Sequence, residues 1–415
     1  MSIAEEDPQI WQELIATYRP GHSLVGDFYT APKVFERDIE CIFLRHWLFA
    51  GHASRIPRPG DYFLYQIARE SVIVVRSKGG TIHALLNVCA HRGSRICRES
   101  DGHATTLVCP YHSWCYELTG GLLSARNMPD GFNKSSCGLS KIHVRIDEDL
   151  IHLCFAEKPP DFTPVAADIA KFFRQHGWTR AKTAARETVI IRANWKLVAE
   201  NFLECYHCPG THPELAKVMS YVRAFDSARL AEERRQFATR WEAETRKLGH
   251  VTGANKRDEG VCHSVSRIPI REGYVTQSRD GKAVAPLMGE LKSYDGGVTS
   301  IQFFPNNWYV ANNDYGMLAR FTPLAVQETE AEITWIVHRD ALEGIDYKLE
   351  EIVWLWRSTM AEDREITENN QAGVNSRFYL PGPHSSDEHF DRFYRWYLEQ
   401  INPTLSDIAQ VPASE

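Results

Sequence analysis

Four residues constrain this chain more than any others. Cys89, His91, Cys109 and His112 form C-x-H, a seventeen-residue gap, and C-x2-H. Each half follows a short β-rich segment, so two facing loops can bring four ligands to one small metal centre. Thiolates hold iron–sulfur clusters, and in one variant two imidazoles replace two thiolates on a single iron and raise the reduction potential. Cysteine and histidine also suit a structural zinc, which is the plainer alternative. Zinc knuckles, however, pair C-x2-C with a second C/H pair, whereas here each half supplies one cysteine and one histidine in the same order. The spacing therefore points to a [2Fe–2S] cluster. His91-Arg92-Gly93 gives a tight turn, and Tyr111 and Trp114 can shield the metals. Cys97 and Cys115 read as packing residues.

The surrounding pattern agrees with a small β scaffold. Tyr62–Ile67, Val72–Arg76, Ile82–Val88, Leu107–Cys109, Trp114–Leu118, Ile142–Ile146 and Leu150–Phe155 are short strand signals split by turns such as Lys78-Gly79-Gly80 and Thr119-Gly120-Gly121. Before them lie two helical stretches, Pro8 to Tyr18 and Ala31 to Trp47. Pro159, Pro160 and Pro164 mark a boundary. Beyond it helices are expected from Asn194 to Tyr206 and from Asp346 to about Asn370. Strands are expected at Gly273–Gln277, Thr299–Phe304, Tyr309–Asn312 and Ala331–His338. The expected organisation is residues 1–44 as helices packing on the second domain, 45–158 as the cluster domain and 159–415 as an α+β catalytic domain.

With 415 residues the chain is long enough for two or three domains. Its 47 basic and 54 acidic residues leave a net charge of −7 with no long basic run, which argues against nucleic acid. No apolar run reaches the ~18 residues that span a bilayer. The acidic start, Met1-Ser2-Ile3-Ala4-Glu5-Glu6-Asp7-Pro8, is unlike a secretory signal. A cytoplasmic protein is expected, where thiols stay reduced. Ten cysteines are too dilute for a disulfide scaffold.

A second constellation runs from Glu200 to Pro213. Asn194 is placed to cap its helix. Trp195, Val198, Phe202 and Tyr206 make one face, and Glu200, Asn201, Glu204, His207 and Cys208 another. His207 and His212 are five positions apart, about 140° of ideal helix, too far for one site. Pro209-Gly210 is expected to break the helix between them and let His212 swing back. Two histidines and a distant carboxylate make the facial triad that leaves positions open for dioxygen at Fe(II). Alone, such a pair is more often structural.

Cys89-Ala90-His91-Arg92-Gly93 with Cys109-Pro110-Tyr111-His112-Ser113-Trp114 resembles the Rieske domain of the large (alpha) subunit of Rieske non-haem iron oxygenases. The segment with Asn201, Glu204, His207 and His212-Pro213 resembles their catalytic-iron motif. The run from Asp363 through Gln371, Gly373, Ser376 and Gly382-Pro383 resembles the segment carrying the carboxylate ligand, with Glu362 as its competitor. The resemblance implies an all-β Rieske domain joined to a helix-grip catalytic domain. It implies cluster ligands Cys89, His91, Cys109 and His112, iron ligands His207, His212 and Asp363, and catalytic roles for Glu204 and Asn201. In the family the residue at 204 links His112 of one subunit to His207 of its neighbour in a ring of three.

Ring-hydroxylating members usually carry aspartate at that position. Glutamate, with Glu204-Cys205-Tyr206-His207-Cys208 and Val337 to Tyr347, resembles the glycine betaine monooxygenase and stachydrine demethylase branch. The likeness covers roughly residues 27–400 and is weakest over 215–265. It implies a terminal oxygenase that uses O2 to hydroxylate a small substrate. That substrate is expected to be an N-methyl group of a quaternary ammonium compound, lost by oxidative demethylation. The alternative is an aromatic-ring or aromatic-acid hydroxylase. A cation would want aromatic faces, and Tyr274, Trp308 and Tyr309 are candidates. No G-x-G-x-x-G follows a strand, so NAD(P)H is expected to act only through a separate flavin/iron–sulfur reductase.

Overall fold

Alternation along single strands explains most of the architecture. In the computed structural model, which describes residues 8–219, 227–255, 263–385 and 390–402, strand Glu70–Arg76 is the clearest case. Successive side chains point to opposite faces of a sheet. Val72 and Val74 enter a core shared with the N-terminal helices, while Ile73 and Val75 enter a second core with Cys89, Cys109 and Trp114. A strand buried on both sides reads as a continuous β-branched run. Its antiparallel sheet has the order Ile82–Leu86, Glu70–Arg76, Asp61–Ile67, Asp101–His103. A small sheet of Leu107–Val108, Cys115–Tyr116 and Leu122–Ser124 carries one ligand loop. A third sheet joins Leu48–His52, Leu150–Cys154 and His143–Asp147.

The second half is built on seven antiparallel strands. Their order is Ala181–Ile191, Glu328–His338, Tyr315–Ala325, Asn307–Ala311, Gly297–Phe303, His263–Pro269, Gly253–Ala254. One face, with Met317, Ala319, Phe321, Val310 and Trp335, packs against the helix Leu349–Val374. The other, with Leu318, Tyr309 and Ile336, packs around Trp178 and Phe173. The mixed helix and antiparallel-sheet class is as expected. Among the described residues no helix is long and apolar enough to cross a membrane.

Several boundaries differ from expectation. The second helical stretch is Pro32–Asp38 continued by one π-turn, Ile39–Phe43, and stops short of Trp47. Gly273–Gln277 is a turn, because Gly273 takes φ +85° and the Tyr274 amide donates back to Arg271. The long strand Tyr315–Ala325, which pairs with both Asn307–Ala311 and Glu328–His338, was not among the expected strands.

The helix Trp195–Leu203 positions the second half's chemistry and is held at several points. Asn194 caps it by accepting from the Lys196 amide, and the Asn194 amide donates to Gln371 of the long helix at 2.8 Å. Trp195 Nε1 and Tyr397 Oη donate to the Asp38 carboxylate at 2.8 and 2.7 Å, and Lys196 Nζ closes an ion pair on it. Asp38 and Lys196 are both fully buried. Removing one partner of such a pair leaves an uncompensated charge. Lys196→Met is expected to cost about 3–5 kcal/mol of stability, read as a lower urea midpoint with unchanged slope.

Candidate functional site: two metal centres

The two ligand loops of the first half are near copies. In each, the cysteine carbonyl accepts from the amide four residues on: Gly93 to Cys89 at 2.9 Å and Ser113 to Cys109 at 3.0 Å. In each, the cysteine amide donates to the carbonyl five residues on, Ser94 and Trp114. Gly93 and Ser113 both take left-handed φ, +71° and +59°. Glycine accepts that conformation freely and serine only under constraint. The result is two buried sulfurs beneath two exposed imidazoles whose ring centres lie 4.6 Å apart. Trp114 stacks on His91 at 4.8 Å and 8°. Two thiols inside and two imidazoles outside suit a [2Fe–2S] group with its histidine-bound iron outward.

Two residues here escaped sequence reading. Asn87 accepts from the Ile96 and Cys97 amides and donates to the Cys97 carbonyl, clamping the loop from behind. Tyr116 places its hydroxyl 3.1 Å from Cys89 Sγ. With the sulfur committed to metal the hydroxyl is the donor, and it stabilises the more negative, reduced state. Tyr116→Phe is expected to lower the reduction potential by on the order of 60 mV, equivalent to about 1.4 kcal/mol for one electron, measured by redox titration of the visible spectrum.

In the second half the helix ends at Leu203, not Tyr206. Glu204 is extended, and its carboxylate accepts from the Tyr206 and His207 amides, which redirects the chain. A new short helix, Cys208–Thr211, begins after His207, and Pro209 sits in its first turn, where proline is tolerated. The break between the histidines therefore lies at 204–207, ahead of Pro209-Gly210.

That geometry brings His207, His212 and Asp363 together. The two Nε2 atoms are 3.1 Å apart, and Asp363 Oδ1 lies 3.3 Å from His207 Nε2 and 3.0 Å from His212 Nε2. Each Nδ1 is engaged elsewhere: His207 on Glu204 Oε1 at 2.5 Å, His212 on Glu362 Oε2 at 2.8 Å. Carboxylates on the Nδ1 protons fix the tautomers, so both Nε2 lone pairs face Asp363. Asp363 Oδ1 is buried and has no hydrogen-bond partner among the described residues. Three acceptors of one proton or cation thus converge. Ligands about 2.0–2.2 Å from one ion at 90–110° stand roughly 3.0–3.5 Å apart, so the set fits a single metal. Glu362 aims at His212, which makes it a positioning residue in this arrangement.

Without metal, His207 is a proton site. Burial pulls its pKa down, but the carboxylates of Asp363 and Glu204 push it up to about 9. The unfolded value is about 6.5, so this proton's stabilisation is complete below about pH 6.5 and lost as pH rises through about 9. Protein stripped of this metal should show a falling urea midpoint across that window. Its Fe(II) affinity should rise over the same interval, measured by competition with a coloured chelator.

A cavity of about 400 Å³ opens on His207, His212 and Asp363. Asn201, Phe202, Trp308 and Trp356 line it, with Gln302 and Ser300. Of the three aromatic candidates only Trp308 does so. Tyr309 is next to it on the strand and points to the opposite face, where it bonds His152 at 3.0 Å. Tyr274 is off the lining, its ring lying against Gly281. Trp356 and Phe202 were missed. Trp356 lies seven residues before Asp363, two turns up the same helix face, and that spacing was available. Ala254, Asn255 and Ser264 also line the cavity, within the stretch of weakest likeness; residues 220–226 and 256–262 of that stretch lie outside the described residues.

Comparison with known proteins places the chain. Residues 46–136 match the Rieske [2Fe-2S] domain, and residues 175–402 match the ring hydroxylating alpha subunit (catalytic domain). The chain belongs to the Rieske oxygenase alpha subunits. It is an oxidoreductase, the terminal oxygenase component, with a Rieske cluster and a mononuclear iron; such subunits draw electrons from a reductase and use dioxygen. The glycine betaine monooxygenase oxygenase subunit of Chromohalobacter salexigens is 38% identical over 94% of this chain and 88% of that one. That of Pseudomonas aeruginosa PA14 is 36% identical over 93% and 90%. A solved quaternary ammonium Rieske monooxygenase, described for carnitine oxidation and inter-subunit electron transfer, shares the fold at TM-score 0.71 and 20% identity over 92% of this chain and 96% of that one.

Proposed function

We propose that this subunit hydroxylates an N-methyl group of a small quaternary ammonium compound. In this reading His207, His212 and Asp363 hold the mononuclear iron, and Cys89, His91, Cys109 and His112 hold the cluster. When bound, the two groups supply one-electron storage and dioxygen activation for insertion of oxygen into a C–H bond. Hydroxylation of N–CH3 gives N–CH2OH. Cleavage of its C–N bond releases formaldehyde, a proton and the amine.

The observation that carries the reading is the aromatic corner in the metal-facing cavity. Trp308 and Trp356 meet edge to face at 4.8 Å and 86°, and Phe202 lies 5.5 Å from Trp308. Among the described lining residues there is no lysine or arginine to repel a cation. Cation–π contact with such a wall is worth about 0.5–2 kcal/mol. The glycine betaine monooxygenase relatives support the same substrate class.

Glu204 holds His207 by its Nδ1 and, in a ring of three subunits, reaches His112 of a neighbour. Asn201 sits beside the ligands as a polar wall. A flavin/iron–sulfur reductase oxidising NAD(P)H in the cytoplasm completes the system. The test is formaldehyde release, with reductase and O2, from betaine-like cations and from aromatic acids. Stoichiometric formaldehyde from the cations is expected. Hydroxylated aromatics without formaldehyde would move the chain to ring hydroxylation. Trp308→Ala should raise KM by about 3- to 30-fold with a smaller change in kcat.

A further inference from the structure

Cys205 and Cys208 stand either side of Tyr206-His207, across the break between the two short helices. They are joined as a disulfide with Cα atoms 4.9 Å apart. In a compartment that keeps thiols reduced, a disulfide is more often a transient, redox-responsive element than a staple. This pair also lies against the metal ligands. Cys208 Sγ is 3.9 Å from His207 Nε2, and with His207 and His212 it forms a set of donor atoms within 4.8 Å of one another.

Sulfur and nitrogen ligands of one tetrahedral zinc, at about 2.3 and 2.0 Å, stand about 3.5 Å apart. Only a small side-chain movement separates Cys208 from that position. Thiolate with imidazole selects zinc, whereas two imidazoles and a carboxylate with open positions select Fe(II). Zinc also outranks ferrous iron in intrinsic affinity for such ligands. The free sulfur of Cys208 would therefore close the centre with a fourth, soft donor and remove the open position that dioxygen needs. A sulfur locked in a disulfide has no thiolate to offer.

We propose that the Cys205–Cys208 pair is a reversible redox site that decides which metal the His207–His212–Asp363 centre accepts. As a disulfide it withholds the Cys208 sulfur and leaves the three-donor set to iron. As a dithiol it adds Cys208 and makes a four-coordinate zinc site. The chemistry is exchange with a low-molecular-weight disulfide of the glutathione class. One pair sulfur attacks that disulfide and expels one thiol. The second pair sulfur then attacks the mixed disulfide and expels the other. Two electrons pass from the pair to the added disulfide, and the two protons leave on its thiols. Cys205 is half-buried and Cys208 almost fully buried, so Cys205 takes the mixed disulfide and Cys208 resolves it.

This inference rests on the assignment of iron to His207, His212 and Asp363, and the test separates the two. Holoenzyme carrying two cluster irons and one mononuclear iron per chain is equilibrated with reduced or oxidised glutathione and desalted. It is then incubated anaerobically with zinc chloride, and metal content is measured. The reduced form should exchange its mononuclear iron for zinc at least tenfold faster than the oxidised form. Cys205→Ser leaves Cys208 free and should take up zinc after either treatment; Cys208→Ser should resist after both. Denatured samples alkylated with N-ethylmaleimide should carry two labels on the 205–208 peptide after reduced glutathione and none after oxidised. Equal zinc uptake by the two wild-type forms, zinc uptake by Cys208→Ser at the wild-type reduced rate, or two labels after oxidised glutathione would overturn the proposal. Asp363→Ala that keeps its full iron content would instead sink the site assignment.

Discussion

Three lone pairs aimed at one point are the constraint on which the second half of the molecule depends. Two imidazole nitrogens and a carboxylate oxygen 3.0–3.3 Å apart repel one another unless a proton or metal ion sits among them. The surrounding fold keeps them there. Asn194 and Arg192 bond their amides to Gln371 and Glu368 of the long helix, which fixes the histidine segment against the helix that carries Asp363. Glu204 and Glu362 then remove the freedom of each ring to turn. The buried Asp38–Lys196 pair holds the helix Trp195–Leu203 that leads into the histidine segment. What looks like a scatter of buried polar contacts is one support for a site that would spring apart if left alone.

The first half solves a different problem with repetition. Its two loops share one hydrogen-bond pattern, so sulfur points inward and imidazole outward at both. The alternating strand Glu70–Arg76 lets the same sheet serve the cluster core on one face and the N-terminal helices on the other. Those helices also meet Trp195, Phe393 and Tyr397, so a single core ties the cluster scaffold to the helix before His207.

Motifs fixed by coordination chemistry were legible in the sequence, because ligand identity and spacing follow from the metal alone. Cys89, His91, Cys109 and His112 fall in that group, whereas His207 and His212, a pair more often structural when taken alone, needed the first motif and the family resemblance beside them. Asp363, alone on a long helix, needed resemblance to be picked out. Contacts set by tertiary approach were not legible. Nothing local marks Tyr116 as a donor to Cys89, or Asn87 as a clamp. The aromatic wall failed for a simpler reason: naming both Trp308 and Tyr309 ignored that neighbours on a strand face opposite ways. The helix ends at Leu203 and not at Tyr206 because the Glu204 carboxylate accepts from two amides and turns the chain ahead of Pro209.

The long helix carries Asp363 and, two turns earlier on the same face, Trp356. The proposed iron ligand and a wall of the chamber thus share one helix. A displacement of that helix would disturb chemistry and recognition together. Another part of the lining, at Ala254, Asn255 and Ser264, lies on or beside the last two strands of the sheet, away from His207, His212 and Asp363 in the chain. A change at those positions would alter what the chamber admits without moving the helix that carries Asp363.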